Sequence, residues 1–242
     1  MTSLALEDSI SSQEIRKKLH WLLEIIESHP CSEHPLFAKL EKADIRAAEK
    51  AALLLKNYDA HASHLRRLLL KAATIMPEEA VGYILENVRN EYGNGRPEGR
   101  HQLQLQDVAW GLGIDRTFYE KAPVQAGIKK FIKAVTPFYF PIKEKKERLK
   151  GLKRPAIAAG AITATEVMAM KEFKYLQIAF RPFGLADHIW FDHVTVEQEH
   201  FDESITLAAY FVDTEREAVK FGLLGVLDAN LHLYDGLLAT LT

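Results

Sequence analysis

The sequence is short of several things, and each shortage excludes a class of protein. It holds one cysteine, Cys31. No internal disulfide can form, so a reducing, cytoplasmic setting is expected and Cys31 reads as a small apolar filler. No run of 18 apolar residues occurs, which argues against a membrane-spanning helix. The opening MTSLALEDSISSQEIRKK has an early acid and no long apolar core, so it does not read as a signal peptide. Charge of one sign is lacking too: 31 Lys and Arg against 33 Asp and Glu leave a net charge of -2 and a pI near 6.6. That balance gives no basic footprint for nucleic acid or for an anionic membrane. The expected partner is a small-molecule substrate, and a homodimer is one possible assembly. Strand signals are scarce, and the one hairpin-type turn cluster is Gly93-Asn94-Gly95. Internal repeats and low-complexity tracts are missing as well.

What is present is helical. The 242 residues are 48% apolar and 26% charged, which suits an all-α protein of seven to nine helices in a single domain over residues 1–242. Ser11 or Ser12 is placed to cap a helix whose apolar residues Ile15, Leu19, Leu22, Leu23 and Ile26 keep helical spacing, with Pro30 as its stop. From Ala43 to Ile75 no proline or glycine appears, which predicts one long helix or two stacked ones. His61 and His64 on it read as a surface or capping pair. Pro77, Glu78 and Glu79 open a helix that ends near Gly93. Another runs from His101 to Gly113, and another from Pro123 to Val135 with Pro137 as its stop and Phe138 to Pro141 irregular. The basic run Lys143 to Arg154 reads as a solvated face. Pro155 opens a further helix, broken by Pro182 and Gly184. A last long apolar segment spans Ser204 to Leu241.

Three regions carry metal-ligating chemistry. In WFDHVTVEQEH, residues 190–200, His193, Glu197 and His200 stand at i, i+4 and i+7. On a helix these fall within roughly 60° of one another, a stripe of two imidazoles and a carboxylate. Glu166 sits among small and apolar neighbours in AIAAGAITATEVMAM, where a buried carboxylate must be paired or bound to metal. A structural salt bridge would also satisfy it. Glu91 and His101 flank the breaker cluster Gly93-Asn94-Gly95-Arg96-Pro97-Glu98-Gly99, which can fold two helix ends onto one ion. Glu86 and Glu98 are nearby rivals for Glu91. Three carboxylates and three imidazoles suit two iron ions, since carboxylates bridge and balance metal charge.

The order NEYGNGRPEGRH, then AITATEVMAM, then HVTVEQEH resembles the heme-oxygenase-like diiron oxidases, whose related folds include TenA-type and coenzyme-PQQ-type proteins. The resemblance spans roughly Val81 to Asp202. Glu197 departs from the many members that carry Asp there. The resemblance implies two Fe(II) ions held by Glu91, His101, Glu166, His193, Glu197 and His200 as metal-binding and catalytic residues, with O2 as co-substrate and no separate cofactor-binding residues. It implies oxidation of a small amino-acid-type substrate, with N-oxygenation, C–C cleavage or nitrile formation among the outcomes. A fatty-acid oxidative decarboxylase is an alternative. A second is a ferritin-like diiron protein, in which Glu98-x-x-His101 and Glu197-x-x-His200 would both be ligand pairs. Tyr92, Trp190, Phe180, Phe183 and Phe138-Tyr139-Phe140 are candidate aromatic walls. Arg96, Arg100, Arg181 and Lys174 are candidate anchors for a substrate carboxylate. Iron is further expected to order the segment from His193 to Asp202.

Overall fold

The computed structural model describes residue 15, residues 17–141 and residues 151–242, and for residues 192–203 only the course of the backbone. The proposed caps Ser11 and Ser12 and most of the basic run from Lys143 lie outside the described residues. Among the described residues there are nine α-helices and no strand. They are α1 (His20–Ser28), α2 (Pro35–Glu41), α3 (Ala48–Ala73), α4 (Glu78–Glu91), α5 (His101–Gly111), α6 (Arg116–Lys121), α7 (Ala126–Tyr139), α8 (Arg154–Phe180) and α9 (His193–Leu238). The all-α expectation and the helix number both hold.

Local chemistry sets most of the ends. The side chains of His29 and His34 accept from the backbone N–H of Cys31 and Leu36, both at 3.2 Å, capping a 3-10 turn and α2. Glu78 and Glu79 occupy the first turn of α4, where the positive end of the helix dipole favours them. Asp115 Oδ1 accepts from Thr117 and Phe118 and starts α6, a six-residue helix too short to leave a periodic signal.

Several boundaries differ from expectation. Pro35 to Phe37, which reads in the sequence as a short connector, is the first turn of α2, and α7 begins at Ala126 rather than Pro123. Pro137 lies inside α7, which continues to Tyr139, so Phe138 and Tyr139 are helical rather than irregular. The proline removes one N–H in the last turn, where the ladder is already ending. The Thr136 hydroxyl donates to the Ile132 carbonyl at 2.6 Å, and Phe140 N–H donates to Thr136. The chain turns extended only at Phe140.

α8 is the central helix, buried along nearly all of its length from Ala156 to Phe180. α9 wraps it twice. A break at Glu215 (φ -133°, ψ 34°) divides α9 into two arms, and Glu215 is pinned by Lys153 at 2.9 Å beside the start of α8. Ahead of the first arm the Trp190 ring packs on Phe173, and within the arm the Ser204 carbonyl accepts from Thr163. The first arm therefore runs antiparallel to α8. The second arm meets Gly160 at Val219 and reaches Glu172 through Tyr234, so it runs parallel. A Cβ on Gly160 would collide with the Val219 carbonyl, and one on Gly222 with that of Ile157. Glycine at these positions is what lets the backbones approach.

Candidate metal centre and its cavity

A cavity of about 80 Å³ lies between α3, α4, α5, α7, α8 and the second arm of α9. Three of the six proposed ligands stand on its wall: Glu91, His101 and Glu166. Glu91 is the last residue of α4 and His101 the first of α5. The connection between them is folded tightly: Gly93, Asn94 and Gly95 all take positive φ, at 85°, 53° and 82°. Gly93 is required, because a Cβ there would strike the Arg96 carbonyl and Gly99 backbone. The result is a contact of 3.1 Å between Glu91 Oε1 and His101 Nδ1. Two ligands about 2.1 Å from one first-row metal ion and at right angles lie about 3 Å apart, so this spacing fits a shared ion. An imidazole and carboxylates are also donors that ferrous iron accepts.

Glu166 is buried in α8, as its small neighbours predict, and its Oε1 accepts from Asn87 Nδ2 at 2.9 Å. Such a neutral donor fixes the direction of a ligating carboxylate without cancelling its charge. Thr165, next to it, shares a hydrogen with the Tyr139 hydroxyl. Burial holds the Tyr139 phenol protonated across the neutral range.

The other three proposed ligands, His193, Glu197 and His200, begin α9, and their backbone is helical as the spacing predicts. Their side chains lie outside the described residues. Among the described residues no three His, Cys, Asp or Glu side chains form a group that could hold an ion. The expectation that iron orders His193 to Asp202 falls on this same segment.

The rivals of Glu91 point elsewhere. Glu86 is exposed beside Arg89 at 3.5 Å, and Glu98 is exposed in a 3-10 turn, Pro97–Gly99, rather than in mid-helix. Neither reaches the cavity wall, which removes the geometry that a ferritin-like ligand pair at Glu98 needs.

Several supporting residues were misplaced by sequence reasoning. Arg96, Arg100, Arg181 and Lys174 are all exposed and off the cavity wall. Among the described residues the cation that lines it is Arg66 of α3, buried at 8% exposure. Its Nη2 donates to Ser63 Oγ at 2.8 Å, Ser63 donates to Asp59 at 2.7 Å, and Nη1 stands 3.7 Å from Glu91 Oε2. Its position inside the Leu65, Leu68, Leu69 stripe was the available signal. His61 and His64 are not a surface pair: His61 is buried on the cavity wall, and His64 Nε2 is bonded to Thr136 at 2.8 Å. Burial drives the His61 imidazole down to about 3, so it is neutral. Of the proposed aromatics, Trp190 and Tyr139 line the cavity, whereas Tyr92 is exposed and Phe180 is core.

A family model described as an iron-containing redox enzyme matches residues 53–230. Two crystal structures of a CADD-like protein of unknown function from Nostoc punctiforme PCC 73102 have a similar fold. One has a TM-score of 0.71 at 14% identity and covers 96% of this chain and 100% of that one. The other has a TM-score of 0.67 at 14% identity and covers 96% of each chain. The all-α heme-oxygenase-like fold expected from the motifs is the one they share. Nothing among curated proteins matches the sequence.

Proposed function

The chain belongs to the iron-containing redox enzyme family, and from that premise we propose that it is a non-heme diiron oxidase acting with O2 on a small amino-acid-type substrate. The observation that carries this reading is the meeting of Glu91 and His101 at 3.1 Å on the wall of a cavity that Glu166 also lines. Glu91, His101, Glu166, His193, Glu197 and His200 would hold the metal. Two Fe(II) ions bound there would supply electrons and open positions for O2.

The chain's own residues do the rest. Asn87 keeps the Glu166 carboxylate turned into the site. Trp190 and Phe173, stacked edge to face at 5.1 Å, close one wall and exclude water. Arg66 offers a planar fork of donors suited to a substrate carboxylate. A compact cavity with a buried guanidinium fits an amino acid better than a fatty-acid chain, which needs a long apolar tunnel. The outcome would be N-oxygenation, C–C cleavage or nitrile formation.

Anaerobic loading with Fe(II) tests the reading. About two irons per chain and oxygen uptake accelerated by one member of an amino-acid panel are expected. Chains in which His101→Ala and Glu166→Ala retain iron and oxygen uptake unchanged would overturn it.

A further inference from the structure

A second group of polar side chains meets the same cavity, outside the six proposed metal ligands. Glu172 lies six residues beyond Glu166 on α8 and is buried at 7% exposure. The Tyr58 hydroxyl of α3 donates to its Oε2 at 3.0 Å, and the Tyr234 hydroxyl of α9 donates to its Oε1 at 2.7 Å. His61 Nε2 stands 3.9 Å from Oε2, and the Tyr58 ring sits edge-on to the His61 ring at 4.4 Å. Among the described residues His61 Nδ1 is buried with no hydrogen-bond partner. Tyr58, His61 and Glu172 all line the cavity.

Among the described residues no cation balances this carboxyl. From α8 itself, Lys171 turns away to donate to the Ser32 carbonyl and lies over the Phe37 ring. From the 3-10 turn, Cys31 is a thiol that burial pushes up to about 12 and so brings no charge. From α3 come Tyr58 and the neutral His61, while Arg66 is engaged with Ser63 and Glu91. From α9 comes Tyr234, whose phenol burial also keeps protonated, while Asp235 is held by His34. A buried carboxylate without a cation takes up a proton instead.

We propose that Glu172 is a proton store for this cavity and that Tyr58 is the relay through which its proton passes. The ionised carboxylate accepts from both phenols, which is the arrangement observed. Protonating it turns one oxygen into a donor, so one phenol must accept and swing its own hydrogen away. Tyr234 is fully buried, whereas Tyr58 faces the cavity. Tyr58 therefore accepts from Glu172 and presents its hydrogen to the cavity. Transfer of that hydrogen to a group in the cavity, with the Glu172 proton following onto Tyr58, moves one proton and no electrons. It returns Glu172 to the doubly bonded carboxylate. Reduction of O2 consumes protons, and the use of this store there rests on the oxidase reading.

The test begins with infrared spectra of the full chain without metal. A carbonyl stretch of a protonated carboxyl is expected that disappears as pH rises through about 7 and is missing in Glu172→Gln. In Tyr234→Phe, which loses a bond to the ionised form, it should persist to higher pH. On transfer to D2O the band should exchange about tenfold more slowly in Tyr58→Phe. No Glu172-dependent band at pH 5–6, or equally fast exchange in Tyr58→Phe, overturns the proposal. Oxygen uptake by the Fe(II)-loaded chain separates the two ideas: kcat should fall about a hundredfold in Glu172→Gln with its pH profile flattened and KM little changed. Uptake with no infrared band sinks the store and leaves the oxidase standing. A titrating band with no uptake sinks the oxidase and leaves the store.

Discussion

Replacing Glu172 by Gln should change how the stability of this protein depends on pH. Burial raises the Glu172 carboxyl from its ordinary 4.5 to about 7, opposed only in part by the bonds from Tyr234 and Tyr58. Between those pH values the folded chain holds a proton that the unfolded chain has released. Stability therefore falls as pH rises through the window, by about 3 kcal/mol in all. His61 acts in the opposite sense. Burial lowers it from 6.5 to about 3, so the unfolded chain holds the extra proton there, and stability falls as pH drops, by about 5 kcal/mol. From pH 4.5 to 6.5 the two slopes, each about 1.4 kcal/mol per pH unit, cancel. Glu172→Gln removes one of them and exposes the other. The variant should lose roughly 3 kcal/mol between pH 6.5 and 4.5 relative to the wild type, with other titrating groups cancelling in the difference. Urea unfolding of the metal-free chain reads this as a midpoint shift of up to about 1 M, for m-values at or above the upper end for small proteins. Parallel curves for the two proteins across this range would refute a proton held on Glu172.

Four further outcomes follow from the packing and the site. Gly160→Ala should lower the melting temperature, because the new methyl meets the Val219 carbonyl and the helices must part, at about 1–3 kcal/mol. Gly82→Ala, which meets nothing within 4 Å on α4, should raise stability by up to about 1 kcal/mol; a loss there would show that the helix face is covered. Arg66→Met should raise KM for a carboxylate-bearing substrate by roughly 10–100-fold, as expected for a lost charge-assisted pair; an unchanged KM in steady-state oxygen uptake would move the anchor elsewhere. Hydrogen exchange across residues 193–202 should slow when Fe(II) is added to the wild type and not to His101→Ala; equal exchange in both would detach that segment from the ion.

What could be read from the sequence was what chain neighbours dictate. Glu91 and His101 were legible because glycines and a proline crowd the stretch between them. Glu166 was legible because alanines and a glycine surround a carboxylate. Pro137 misled because a proline's effect depends on which turn it occupies, and Thr136 and Phe140 close the helix around it. Arg66 was passed over because one of several cations on a leucine-rich helix, with Arg67 beside it, looks like a surface residue until the helix's neighbours are known. The Glu172 cluster was beyond reach for a plainer reason: its phenol partners lie 114 and 62 residues away. No local pattern encodes a contact of that range.

The tight connection after α4 has a consequence for how this chain tolerates change in length. Glu91 and His101 meet because they terminate two helices, not because they share a helical register. An extra residue at exposed Asn94 or Gly95 can bulge outward and leave both termini in place. The same insertion between His193 and His200 would swing one side chain about 100° around the axis. Lengthening is thus absorbed on one side of the centre and ruinous on the other.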